Sequence, residues 1–313
     1  MGLTSISFSG VYSQSQPEPR TIDFRTINVL ESKMVYWEKG AGDPMIFLHG
    51  IPTNSLLWRN IAPNLDTLAR VISVDLIGYG KSETPKIFDY SIQSQYEYIE
   101  AFIDSLQLKD ITLVVHDFGS LLGLKYANEH PENIKAIVMM ESLYMPAEIW
   151  CNQLTFSSKA FFWLVSKPKR ANNIFVKKTS IYQTMISTGT NQKLSDADMS
   201  IYTDPYENEV GKRVMVLKGS PATQMNKGIS KYEGDFPNVL NKTANDFALI
   251  ADTIPILLFY SKPGMINKSP AIVYAQNHFS KMKLVELPKG KHFLPEDFPN
   301  EISQEISIWY NGI

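Results

Sequence analysis

The sequence predicts an α/β architecture, a mostly parallel and doubly wound sheet with an inserted helical cap. Short runs almost unbroken in Val, Ile, Leu and Met alternate with stretches of helical spacing. That alternation is the mark of strands buried on both faces under flanking helices. The rhythm stops after Met145 and resumes at Ile254. The chain, at 313 residues, is also long for one compact unit, which favours an insertion or a second domain.

In chain order, residues 1–20 are expected to be a loose arm, because Ser13–Arg20 is polar and punctuated by proline. The core is expected over 21–145 and 253–313. Its strands are read at Met34–Trp37, Met45–Leu48, Val71–Val74, Ile111–Val115, Ile134–Met140, Ile254–Tyr260 and Lys283–Leu287. Its helices are read at Ser55–Leu65, Ser91–Leu106, Gly119–His130, Pro270–His278 and Glu301–Ile313. Residues 146–252 form the expected cap, with helical spacing at Ser158–Leu164, Asn173–Met185 and Asp196–Tyr202, and loops at Thr188–Lys193 and Lys218–Ser230. Open sheets of this kind carry their sites at the carboxyl ends of the strands, and a cap placed there would cover them.

Composition excludes several function classes. The formal net charge of −2 leaves no basic excess for nucleic acid or an anionic membrane surface. One cysteine, Cys151, rules out an internal disulfide framework. No apolar run approaches the ~18 residues of a membrane span, and the N-terminus lacks the pattern of a signal peptide. A soluble, cytoplasmic protein is expected. With no dinucleotide fingerprint and no cluster of metal ligands, no cofactor and no metal are expected.

The sharpest chemical signal is Val114-Val115-His116-Asp117-Phe118-Gly119-Ser120. An apolar strand runs into a polar residue, a glycine and a helix, which is the setting of a nucleophile elbow in the α/β-hydrolase fold. Here the elbow residue is Asp117. The plainer alternative is an aspartate capping the following helix. His292 tips the balance, since it follows the last strand and completes the order nucleophile, acid, histidine. The other four histidines, His49, His116, His130 and His278, sit in a turn, before the elbow or near helix ends. Two strand ends could supply the acid. Tyr260–Met265 contains no carboxylate, whereas Val138–Ser142 ends on Glu141. The backbone N–H groups of Ile51, in His49-Gly50-Ile51-Pro52, and of Phe118 are expected to form the oxyanion site. The glycine-rich stretch Asp75–Ser82 reads as a structural turn.

A carboxylate nucleophile is already ionised at neutral pH. Attack on an ester carbonyl would give a high-energy anhydride. Attack on an sp³ carbon gives an ordinary ester that His292-activated water can hydrolyse. Halide and epoxide oxygen are the two obvious leaving groups, and a small hydrophobic organic molecule is the expected substrate of a monomer or homodimer.

Over nearly its whole length the chain resembles haloalkane dehalogenases of the subfamily whose acid follows the strand after the elbow. The resemblance rests on Phe47-Leu48-His49-Gly50, Pro52-Thr53, Leu57-Trp58-Arg59-Asn60, Asp75-Leu76-Ile77-Gly78, Val115-His116-Asp117, Met140-Glu141, Leu194–Met199, His292-Phe293 and Glu296-Asp297. Coelenterazine-type luciferases share that scaffold and triad, and epoxide hydrolases share the fold and the aspartate nucleophile. The resemblance implies a leaving-group site at Ile51 and Phe118, where the dehalogenases carry an asparagine and a tryptophan that hold halide. The two residues here have no side-chain donor. The tryptophan–proline step of the family cap is also missing around Val216–Pro221. Uncompensated halide departure predicts weak or redirected dehalogenation. An epoxide would instead need a proton donor, and Tyr144, Tyr182, Tyr202, Tyr206 and Tyr232 are the candidates. The third possibility is a repurposed, non-hydrolytic enzyme or binder of a hydrophobic metabolite.

Overall fold

The computed structural model describes residues 22–219 and 235–313. The expected arm, Tyr232 and all but the start of the Lys218–Ser230 loop lie outside the described residues. The eight strands are β1 (Phe24–Val29), β2 (Ser32–Lys39), β3 (Pro44–Leu48), β4 (Arg70–Val74), β5 (Ile111–Asp117), β6 (Ile134–Ser142), β7 (Ile256–Tyr260) and β8 (Met282–Glu286). They form one sheet in the order β1-β2-β4-β3-β5-β6-β7-β8. β2 pairs antiparallel with β1 and β4, and every other pairing is parallel. This is the α/β-hydrolase fold.

Period-two patterning divides the core. Ile46, Leu48, Leu113, Val115, Ile137 and Met139 pack on one face; Met45, Phe47, Val114, Val138 and Met140 pack on the other. The first face is covered by α1 (Ile92–Ser105), α2 (Phe118–Glu129), α9 (Asp235–Ile250) and α10 (Ser269–His278); the second by residues 55–65, α11 (Leu294–Asp297) and α12 (Pro299–Tyr310). Ser91 caps α1 by accepting the Ser94 N–H.

The edge strand β1 has no counterpart in the sequence reading. Its FRTINV run is half exposed and too polar to stand out, and only pairing with β2 makes it a strand. The helix expected over Ser55–Leu65 is instead two short 3₁₀ turns, Ser55–Trp58 and Ala62–Asn64. Pro63 cannot donate the N–H that a continuous α-helix requires.

Between β6 and α9 lie α3 (Ala147–Asn152), α4 (Phe156–Val165), α5 (Pro168–Ala171), α6 (Ser180–Gly189), α7 (Asp196–Asn208) and α8 (Val210–Gly219). The single helix read over Asn173–Met185 is a π-turn at Asn172–Val176 followed by α6. α7 and α8 reach the strand ends, as Tyr206 OH donates to Pro52 O at 2.8 Å and Lys212 Nζ donates to Gly80 O. α9 instead packs against α2, with Asn128 Nδ2 donating to Thr243 O at 3.1 Å. Among the described residues no helix is long and apolar enough to cross a membrane.

Candidate active site

β4 and β5 flank β3 on opposite sides, so the connections leaving β3 and β5 diverge around a crevice at their carboxyl ends. Asp117 closes β5 with φ +48° and ψ −125°, a left-handed backbone that puts its carboxyl above the sheet. Small neighbours make the turn possible. A Cβ on Gly119 would lie 2.4 Å from His49 O, and one on Gly50 would lie 2.3 Å from Asp117 Cβ.

Three predicted residues meet here. His292 Nε2 lies 3.6 Å from Asp117 Oδ2, and His292 Nδ1 lies 3.4 Å from Glu141 Oε2. Glu141, itself at φ +45° near the end of β6, is fully buried. Its Oε2 accepts the N–H groups of Met265 at 2.9 Å and Ile266 at 2.7 Å, and its Oε1 accepts that of Asn267 at 3.3 Å. With the Glu141 side of the ring taken by a carboxylate, the Nδ1–H tautomer is favoured and the Nε2 lone pair faces Asp117. The backbone of His292 is fixed as well, since Gly189 O accepts the N–H groups of His292 and Phe293, each at 2.9 Å.

Burial disfavours the Asp117 charge and raises its pKa, against the opposing pull of His292 and the N–H groups of Phe118 and Ile51. The Ile51 N–H donates to Asp117 Oδ1 at 2.9 Å. Both expected oxyanion donors therefore already point at the Asp117 carboxyl group. Burial also works against the His292 cation, but the Glu141 hydrogen bond and the Asp117 charge outweigh it and raise the His292 pKa.

His49 and Asp75, near the strand ends, are held by local partners. His49 accepts the Leu76 N–H at Nε2 and lies 2.9 Å from Gly50 O at Nδ1. Asp75 accepts the N–H groups of Ser55 and Lys81, each at 2.7 Å, and so ties down the turn that follows β4. His116 is buried beside His292, and burial pushes its pKa well down, so it stays neutral.

Residues 43–299 match the family model described as the alpha/beta hydrolase fold. Over 294 residues the chain is 30% identical to a haloalkane dehalogenase of Mesorhizobium japonicum, covering 90% of this chain and 89% of that one. The chain belongs to the haloalkane dehalogenase family of α/β hydrolases. It is equally, at 30%, identical to the coelenterazine h 2-monooxygenase of Renilla reniformis, covering 92% of this chain and 91% of that protein. The haloalkane dehalogenase structure from Bradyrhizobium elkani superposes with a TM-score of 0.83 at 24% identity, covering 93% of this chain and 98% of that one, a likeness of fold.

Within this haloalkane dehalogenase framework, two groups escaped the sequence reading. One is the set of backbone N–H groups at residues 265–267, for which no side-chain signal exists. The other is an ionic cluster that joins α7 to α11, just after His292. Arg59 bonds Glu296 and Asp198, and Tyr202 OH donates to the same Glu296 carboxylate. Arg59, Asp198 and Glu296 are far apart in sequence, and only the fold brings them together.

Proposed function

We propose that Asp117 attacks an sp³ carbon of a small hydrophobic substrate, expelling the leaving group and forming an alkyl-enzyme ester. The observation that carries this reading is the left-handed turn at Asp117, whose carboxylate accepts the Ile51 N–H and faces His292 Nε2. His292 then takes a proton from water, and hydroxide adds to Cγ of the Asp117 ester. The resulting oxyanion forms on the carboxyl group that the N–H groups of Ile51 and Phe118 already address. Glu141 keeps the imidazole in the working tautomer and balances its transient charge. The protonated His292 returns a proton to the departing alcohol.

The leaving-group side is dehalogenase-like in position and altered in chemistry. Ile51 and Phe118 are buried apolar side chains, and each missing donor is worth about 2.7–4 kcal/mol of transition-state stabilisation. The same observation favours an epoxide as the second reading, because an oxygen leaving group can be met by a proton donor instead. The identity to a monooxygenase supports the third reading, a repurposed enzyme that does not hydrolyse.

Intact-mass spectrometry of His292→Ala after exposure to haloalkane and epoxide panels tests the proposal. A mass gain of one alkyl group on Asp117 is expected, since attack survives and hydrolysis does not. A folded protein that gains no mass with any member of either panel would overturn it.

A further inference from the structure

Four of the five tyrosines nominated from the sequence lie among the described residues, and three of these spend their hydroxyls on other acceptors. Tyr182 OH donates to Phe175 O at 2.5 Å, Tyr206 OH to Pro52 O at 2.8 Å, and Tyr202 OH to Glu296. Tyr144 is buried against Phe279, with Glu141 as its charged neighbour, on the acid side of the site. Tyr232 lies outside the described residues.

The Tyr144 hydroxyl has no hydrogen-bond partner among the described residues, but a sixth tyrosine with the same property stands on the Ile51 side of the site. Tyr79, in the turn after β4, is fully buried, yet its hydroxyl has no hydrogen-bond partner among the described residues. An orphaned buried hydroxyl carries a desolvation cost of ~1–3 kcal/mol and calls for an explanation. The geometry supplies one. A Cβ placed on Gly219 would come 3.1 Å from Tyr79 OH and 3.9 Å from Ile51 Cδ1. The hydroxyl and the Ile51 side chain thus border one point of space, beneath the end of α8. Ile51 is also the residue whose N–H holds Asp117 Oδ1. The ring is fixed edge-on to His49 at 5.8 Å, and His49 is itself pinned by the Leu76 N–H.

We infer that the Tyr79 hydroxyl is the proton donor to an oxygen leaving group, and that the substrate class of this site is an epoxide. The inference rests on the alkyl-enzyme reading given above. Asp117 Oδ forms a bond to a ring carbon, the C–O bond breaks, and its electron pair goes to oxygen, which takes the Tyr79 proton. Hydrolysis of the ester then leaves Asp117 as its acid, whose proton restores the Tyr79 phenol. The sum is epoxide plus water to diol. Burial first, and then the Asp117 charge, push the Tyr79 pKa well up, so the phenol is protonated in the resting site. Esterification removes the Asp117 charge, and the phenol becomes a stronger acid as the leaving oxygen develops negative charge.

The test compares alkylation rates of His292→Ala, with and without Tyr79→Phe, using styrene oxide and 1-bromohexane. The ratio of epoxide to bromide alkylation is expected to fall by about 10²-fold or more on adding Tyr79→Phe, the usual range for a lost general acid. An unchanged ratio overturns the role of Tyr79. A bromide adduct without an epoxide adduct in His292→Ala also overturns it while leaving Asp117 as the nucleophile. No adduct from either probe removes the alkyl-enzyme reading and the Tyr79 proposal with it. Should Tyr79→Phe fail to fold, 3-fluorotyrosine at position 79 keeps ring and hydroxyl while strengthening the acid. It is expected to speed epoxide alkylation, and a slower or unchanged rate overturns the assignment.

Discussion

The two sides of the site are built by opposite means. On the acid side, Glu141 Oε2 collects two backbone N–H groups and the His292 ring, Oε1 takes a third N–H, and Asn267 clamps both the N–H and the carbonyl of Ser142. Every charge there has partners, and main chain supplies most of them. On the leaving-group side, Ile51 and Phe118 are apolar, and the Tyr79 hydroxyl has no partner among the described residues. The contrast separates a side whose charges the fold satisfies from a side that the fold lines with apolar groups. Orienting a histidine needs a rigid, satisfied carboxylate whatever the substrate, whereas receiving a leaving group needs donors matched to that group.

The largest expected effect lies on the acid side. Glu141→Gln puts an N–H₂ group among backbone donors and removes the charge that balances His292. Ester hydrolysis should slow by about 10³–10⁴-fold, comparable to the loss of a triad acid. Rapid-quench mass spectrometry should show the alkyl-enzyme accumulating, and hydrolysis at the parent rate would break the comparison.

Arg59→Ala tests how firmly α7 is held to α11. Glu296 and Tyr202 would be left buried around an unpaired carboxylate, at a cost of about 3–5 kcal/mol. Denaturant unfolding should show this as a lower midpoint, and an unmoved midpoint would mean the cluster relaxes into water.

Ile51→Asn sharpens the leaving-group side by restoring a donor. Its alkylation by 1-bromohexane, measured in the His292→Ala background, should rise by roughly 10²-fold. An unchanged rate would show that position 51 does not face the halide.

The smallest effect is in pH. In the free enzyme the His292 ring should titrate with a midpoint above the ordinary 6.5, read by NMR. In the alkyl-enzyme the Asp117 charge is gone, so the single-turnover hydrolysis midpoint should lie below that of the free enzyme. Identical midpoints would mean Asp117 does not influence the ring. The stability linkage has the matching sign. The raised His292 pKa contributes stability that is full below 6.5 and is lost as pH rises through the folded pKa.

The sequence by itself marked strands β2–β8 and the three residues, Asp117, Glu141 and His292, that the fold brings together at their ends. The reason is that buried parallel strands must be apolar runs, and a strand–polar–glycine–helix junction has few other uses. Asp117, Glu141 and His292 each sit next to such a run and could be placed by counting strands. Residues 55–65 and the edge strand β1 were decided by context, a proline in the first case and pairing with β2 in the second. The tertiary structure alone decided what Tyr79, Arg59 and the 265–267 backbone do. Tyr79 in a glycine-rich turn looks like any aromatic residue until the close approach of Ile51 and Gly219 shows what its hydroxyl borders. Backbone N–H groups carry no residue identity at all, so the cradle around Glu141 exists only once the chain has folded. Local pattern fixes the elements and their ends; the partner of a buried polar atom is a long-range fact, set by which ends the fold brings together.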